Sequence, residues 1–95
     1  MKISDITQFT HNFWQDEIVP QLIDYIKIPN KSPAFDPNWK QNGHMNKVLN
    51  LALDWVKKHS EDNWKIHSFQ SGGRTPLIII EIPGNVSGNI LMYGH

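Results

Sequence analysis

Asn89-Ile90-Leu91-Met92-Tyr93-Gly94-His95 is a short apolar run that delivers a glycine and then a histidine. Consecutive apolar residues bounded by turn formers read as a buried strand. A metal-capable side chain at the mouth of such a strand stands where open α/β sheets place their ligands, outside the carboxyl ends of the strands. The expectation is therefore a strand over Ile90–Tyr93 that carries His95 to the rim of a sheet.

The residues before this run supply more of the same sheet. Trp64-Lys65-Ile66-His67 alternates in polarity, Gly72-Gly73 supplies a hairpin turn, and Leu77-Ile78-Ile79-Ile80-Glu81-Ile82 is a β-branched run following Thr75-Pro76. Three strands are expected, counting the last. The loop Pro83-Gly84-Asn85-Val86-Ser87-Gly88 is short, so the second and third strands should run in opposite senses if they are neighbours.

Further out lie the helices. Met45, Val48, Leu49, Ala52, Trp55, Val56 and His59 recur at helical spacing, and Leu51 and Leu53 widen the stripe. Only Asn46, Lys47, Asn50, Asp54, Lys57 and Lys58 remain as a narrow wet face, as expected of a helix that covers a sheet. Nearer the amino end, Ser4 is placed to cap a helix carrying Ile6, Phe9 and Phe13, with Asp5 against the positive end of its dipole. Pro20 lacks an N–H and crowds the carbonyl one turn back, so the register shifts to Val19, Leu22, Ile23 and Ile26. One kinked helix or two short ones should result. Pro29 ends it, and Asn30 to Trp39, with Pro33 and Pro37, reads as a loop carrying the aromatic anchors Phe35 and Trp39.

Composition narrows the function classes. Nine Lys and Arg balance nine Asp and Glu, so no basic stripe argues for nucleic acid. The start, Met1-Lys2-Ile3-Ser4-Asp5, lacks the apolar core of a signal peptide, and no run approaches bilayer length; the expectation is a soluble, cytoplasmic protein. With no cysteine, His and carboxylates are the strong metal ligands left. A length of 95 residues allows one domain at most, and the 39% hydrophobic fraction with four tryptophans points to apolar surfaces meant for a larger body.

The element order is a helix, then Tyr25-Ile26-Lys27-Ile28-Pro29-Asn30-Lys31-Ser32, a long amphipathic helix, a hairpin, and Ile90-Leu91-Met92-Tyr93-Gly94-His95. This order resembles the N-terminal part of the di-zinc exopeptidases that include the carnosine dipeptidases, aminoacylases and glutamate carboxypeptidases. In that family an apolar strand ends in a histidine that ligates one zinc, and an Asp two residues further on orients it. The resemblance therefore implies that His95 is a first zinc ligand. It also implies that the Asp, the bridging carboxylate, the general-base Glu and the remaining ligands lie beyond residue 95. The implied fold is α/β: residues 1–95 as the incomplete N-terminal segment of a metallopeptidase catalytic domain, with two main helices covering a mixed three-strand piece of a larger sheet. In such enzymes two zinc ions polarise the scissile carbonyl and lower the pKa of a bound water, while a carboxylate takes the proton. One histidine does not suffice for this, since zinc takes about four ligands. The implied substrates are small peptides or N-acyl amino acids, and the piece alone is expected to be inactive and prone to self-association.

Other polar residues have plainer readings. His11, His44, His59 and His67 show no two-histidine helical spacing and read as surface or half-buried residues, with His59 at the core edge of its stripe. Asp36 and Glu81 read as solvated carboxylates, Glu81 facing away from the core. Ser32 beside Pro33 reads as a turn residue, because no Gly-x-Ser-x-Gly elbow surrounds it. Asn85-Val86-Ser87 reads as a turn despite matching a glycosylation acceptor, and Gly72-Gly73-Arg74 as a hairpin, because no helix follows it to bind phosphate.

Two function classes follow. One is a zinc-dependent hydrolase to which this chain contributes sheet, covering helices and His95. The other is a standalone α+β interaction module that binds a partner by strand addition, with Phe35 and Trp39 as loop anchors. An Asp two residues beyond His95 in the natural reading frame favours the first, and a stop codon there favours the second.

Overall fold

A computed structural model describes residues 2–95. The elements are α1 (Ile3–Phe13), a π-helical turn (Trp14–Ile18), α2 (Val19–Lys27), α3 (Trp39–Asn42), α4 (His44–His59), β1 (Lys65–Phe69) and β2 (Leu77–Glu81). The chain is thus mixed α/β, with helices and a small antiparallel sheet.

The amino-terminal helices form one continuous path. Its start is Ile3, with Lys2 rather than Ser4 in the capping position and no side-chain cap. Ser4 lies inside the first turn, where its backbone is already helical and its hydroxyl is past the capping point. The register shift expected at Pro20 is accomplished by the π-turn: the Val19 N–H donates five residues back to the Trp14 carbonyl. One extra residue per turn rotates the apolar stripe, and Pro20 then sits in the first turn of α2, where its missing N–H costs little.

The segment after Pro29 is less irregular than its prolines imply. Phe35 and Asp36 donate their N–H groups to the Ser32 carbonyl at 2.9 and 3.0 Å, and the chain then winds into the single turn of α3. Asn42 Nδ2 donates to both carboxylate oxygens of Asp36, at 2.9 and 3.0 Å. Asp36 is therefore a structural acceptor that ties the loop to α3. Gly43 follows with φ 74°, the left-handed conformation that stops one helix and starts the next.

In α4 the periodicity holds residue by residue. Met45, Val48, Leu49, Leu51, Ala52, Leu53, Trp55, Val56 and His59 are half-buried, whereas Asn46, Lys47, Asn50, Asp54, Lys57 and Lys58 are exposed. The stripe meets the amino-terminal helices through Phe13 and Trp55, whose ring centroids lie 6.5 Å apart edge to face. It makes no extensive contact with the hairpin, so α4 does not cover the sheet as its wide apolar stripe led one to expect.

β1 and β2 pair antiparallel in the register Lys65↔Glu81, Ile66↔Ile80, His67↔Ile79, Ser68↔Ile78 and Phe69↔Leu77. Their connection contains a tight turn in which the Arg74 N–H donates to the Ser71 carbonyl at 3.0 Å. Gly72 and Gly73 have φ values of 58° and 74°, the mirror-image turn that matches strand twist. A Cβ on Gly73 would also stand 2.8 Å from Lys40 Nζ, the mobile tip of a side chain that can withdraw. Gly73→Ala is accordingly expected to cost about 1–2 kcal/mol, mostly from the left-handed backbone. Thermal denaturation reads the loss, and an unchanged midpoint would contradict this turn.

The third strand does not form. Ile90, Leu91, Met92 and Tyr93 have no ladder partner and are 92, 95, 89 and 81% exposed, so the sheet has two antiparallel strands instead of a mixed three. The physical reason is that strand structure is conferred by a neighbour, and an apolar run alone satisfies none of its own backbone groups.

Among the described residues no side chain is fully buried. The chain exposes 8282 Å², whereas a folded monomer of 11.0 kDa exposes about 5,600 Å². Its radius of gyration is 16.5 Å, against about 12 Å for a compact chain of this length. Ile3, Phe9, Leu22, Ile23, Ile26, Phe69, Leu77, Ile79 and Ile82 all keep at least two-fifths of their surface in solvent. Elements are formed here without a closed core. No helix is long and apolar enough to cross a membrane among the described residues.

Candidate functional site

His95 is the residue the sequence singles out as a metal ligand. It lies at the end of the unpaired stretch 89–95 and is exposed, with its ring 6.2 Å from that of Tyr93 at 60°. A Cβ placed on the adjacent Gly94 would meet nothing within 4 Å, so the backbone leading to His95 is uncrowded. Among the described residues no group of three or more His, Asp or Glu side chains converges to hold a metal ion. Zinc takes about four ligands, so the residues of this chain do not by themselves fit a two-zinc centre. His95 by itself offers a single imidazole.

The densest grouping of polar and aromatic side chains lies elsewhere, where α4 crosses the π-turn. His59 sits 4.2 Å from the Trp55 ring and 5.7 Å from that of Phe13, and Phe13 in turn stacks on Phe9 at 5.7 Å. Glu17 approaches from the π-turn: its Oε2 is 3.5 Å from Lys58 Nζ and 3.8 Å from His59 Nε2. At 3.8 Å the imidazole is in ionic range without a hydrogen bond, and Nε2 has no other partner. Trp55 Nε1 is likewise unpaired. The core-edge reading of His59 agrees with this placement. Glu17 was not legible as its neighbour because the two are 42 positions apart; the π-turn, which rotates Glu17 toward α4, has no sequence signature of its own.

A second pair lies on the hairpin. His67 Nε2 and Glu81 Oε2 are 3.1 Å apart, diagonal neighbours on one face of the ladder, and the His67 ring stacks near Phe69 at 6.0 Å. Both are substantially exposed, at 43 and 60%, so the pair trims a solvent face and contributes little stability. Its signal was not available in the turn: a two-residue turn at Gly72-Gly73 would set His67 opposite Ile78, whereas the ladder sets it opposite Ile79, one residue further on, and only that register brings Glu81 to the same face.

His11 is exposed, and His44 begins α4 half-buried with Nδ1 unpaired. Ser32 accepts turn hydrogen bonds through its carbonyl, as its plainer reading requires. An open groove of about 490 Å³ runs beside α4, lined by Gln21, Lys47, Asn50, Leu51, Asp54, Trp55 and Lys58. It contains no histidine, and its carboxylate and amines belong to the wet face.

No family model and no curated protein matches this chain.

Proposed function

We propose that this chain is the N-terminal part of the catalytic domain of a zinc-dependent exopeptidase that hydrolyses small peptides or N-acyl amino acids in the cytoplasm. His95 is its contribution to the metal centre, and the other ligands and the general base come from the rest of that domain. On this reading the two main helices cover one margin of a larger sheet, and Ile90–Tyr93 becomes a strand once neighbouring strands flank it.

The observation that carries the reading is the uncovered apolar surface. The aliphatic run of β2 and the run Ile90–Tyr93 are both hydrophobic and both largely in solvent, with exposures from 40 to 95% at Leu77, Ile79, Ile80, Ile90, Leu91, Met92 and Tyr93. Strands apolar on consecutive positions belong in sheets covered on both faces. A body large enough to cover them also brings the missing ligands to the sheet rim where His95 stands.

The reading frame beyond position 95 provides the first test. An Asp two residues after His95, placed to orient the imidazole, is the expected result. A stop codon directly after His95, or a residue with no hydrogen-bonding capacity at that position, would contradict the assignment.

A further inference from the structure

We propose that the 95-residue chain pairs with a second copy of itself through the outer edge of β2, forming a continuous four-stranded antiparallel sheet. The inference is independent of the hydrolase reading, because it concerns the edge this chain presents on its own.

β2 is bonded to β1 on one side only. Along its other side alternate N–H and C=O groups have no ladder partner, and an unprotected edge of this kind is a template for another strand. Most edges are blunted by proline, lysine or a bulge; Leu77-Ile78-Ile79-Ile80-Glu81 has none of these and a single charge at its end. The chain's own apolar run does not fill the edge: Ile90–Tyr93 stays 81–95% exposed.

The edge is self-complementary. A copy placed antiparallel about Ile79 overlaps all five residues, with Ile79 facing Ile79 of the second copy, Ile78 facing Ile80, and Leu77 facing Glu81. Every other register loses pairs. The two Glu81 carboxylates then fall at opposite ends of the new ladder, about 14 Å apart at the usual rise per residue, beyond effective repulsion at physiological salt. Each already has a local partner in His67 Nε2 at 3.1 Å, and the formal net charge of zero adds no long-range repulsion. The apolar residues on and beside this edge, Leu77, Ile79, Ile80 and Ile82, are 53, 42, 40 and 59% exposed and supply the surface that the pairing would cover.

The absence of cysteine makes the test clean, since one introduced thiol is then the only one. Ile79→Cys places thiols on the two-fold axis, where facing Cβ atoms lie about 4.5–5.5 Å apart, close to disulfide reach. Lys65→Cys places them on the two β1 strands, three strand spacings across and four residues along, about 20 Å from each other. The unmodified chain should rise from 11.0 kDa toward twice that mass with concentration in sedimentation equilibrium. Mild oxidation should link Ile79→Cys into dimers at least about tenfold more than Lys65→Cys, on non-reducing gels. Because the disulfide is read without disrupting the strand, a folded control is retained, and helical circular dichroism of both variants verifies it. A monomer at all concentrations overturns the proposal, and if its β2 amides are protected from exchange the edge belongs to the chain's own Ile90–Tyr93. Equal linking at both positions also overturns it, assigning the association to unspecific apolar contact.

Discussion

Trp55→Ala is expected to lower stability by about 3 kcal/mol and to abolish cooperative unfolding of the isolated chain. Trp55 is the bridge between the two helical layers: its ring lies 4.2 Å from His59 on its own helix and 6.5 Å, edge to face, from Phe13 on α1. Full truncation of a buried aromatic costs about 3–5 kcal/mol, and because Trp55 is half-buried the lower end applies. Of that, about 1 kcal/mol belongs to the aromatic pair beyond its area. A domain of this size ordinarily has about 5–14 kcal/mol in total, and one without a fully buried side chain stands at or below the bottom of that range. Thermal melts followed by circular dichroism at 222 nm and in the aromatic region measure the effect. Trp55→Phe should retain a transition, because it keeps a ring against Phe13. A sharp, unshifted melt for Trp55→Ala would show that α4 does not dock on the amino-terminal helices through this residue.

If the chain is part of the exopeptidase proposed above, His95→Ala in that enzyme is expected to reduce peptide hydrolysis by more than about a hundredfold while leaving the fold intact. Loss of a residue that merely orients a metal ligand already costs 10- to about 100-fold, and loss of a ligand itself should cost more. The fold should survive because His95 is exposed, and its one aromatic neighbour is the Tyr93 ring at 6.2 Å. Turnover, zinc content and far-ultraviolet circular dichroism are measured together. Retention of activity and metal would remove His95 from the centre; loss of helical signal would make it a structural residue instead.

The elements that could be read from sequence are those whose forces are local. The α4 stripe was legible to the residue, because burial on one face of a helix repeats with its own pitch. The hairpin was legible from Gly72-Gly73, since adjacent glycines remove the penalty of two left-handed residues, but its register was not: the ladder is displaced by one residue from the one that turn alone would set, because residues 70–76 between the strands are not all paired. Pro20 marked the shift in the first helix, though not the π-turn that performs it, because Trp14–Ile18 has ordinary helix-forming residues. The helical turn at Trp39–Asn42 was hidden among prolines; what stabilises it is the Asp36–Asn42 contact across six residues. Ile90–Tyr93 has strand composition, yet composition supplies no partner for its N–H and C=O groups. The same limit applies to the site. His95 stood out as a ligand only through the family resemblance, whereas the contacts Glu17–His59 and Glu17–Lys58 depend on how two distant helices cross.

Zinc stoichiometry of the complete protein, measured by mass spectrometry under native conditions beside the 95-residue chain, tests the central claim most directly. Two zinc ions per complete polypeptide, reduced by His95→Ala, and only weak binding to the 95-residue chain, are expected from a centre to which this chain contributes one imidazole. A complete protein that binds no zinc, or binds it equally well without His95, would contradict it.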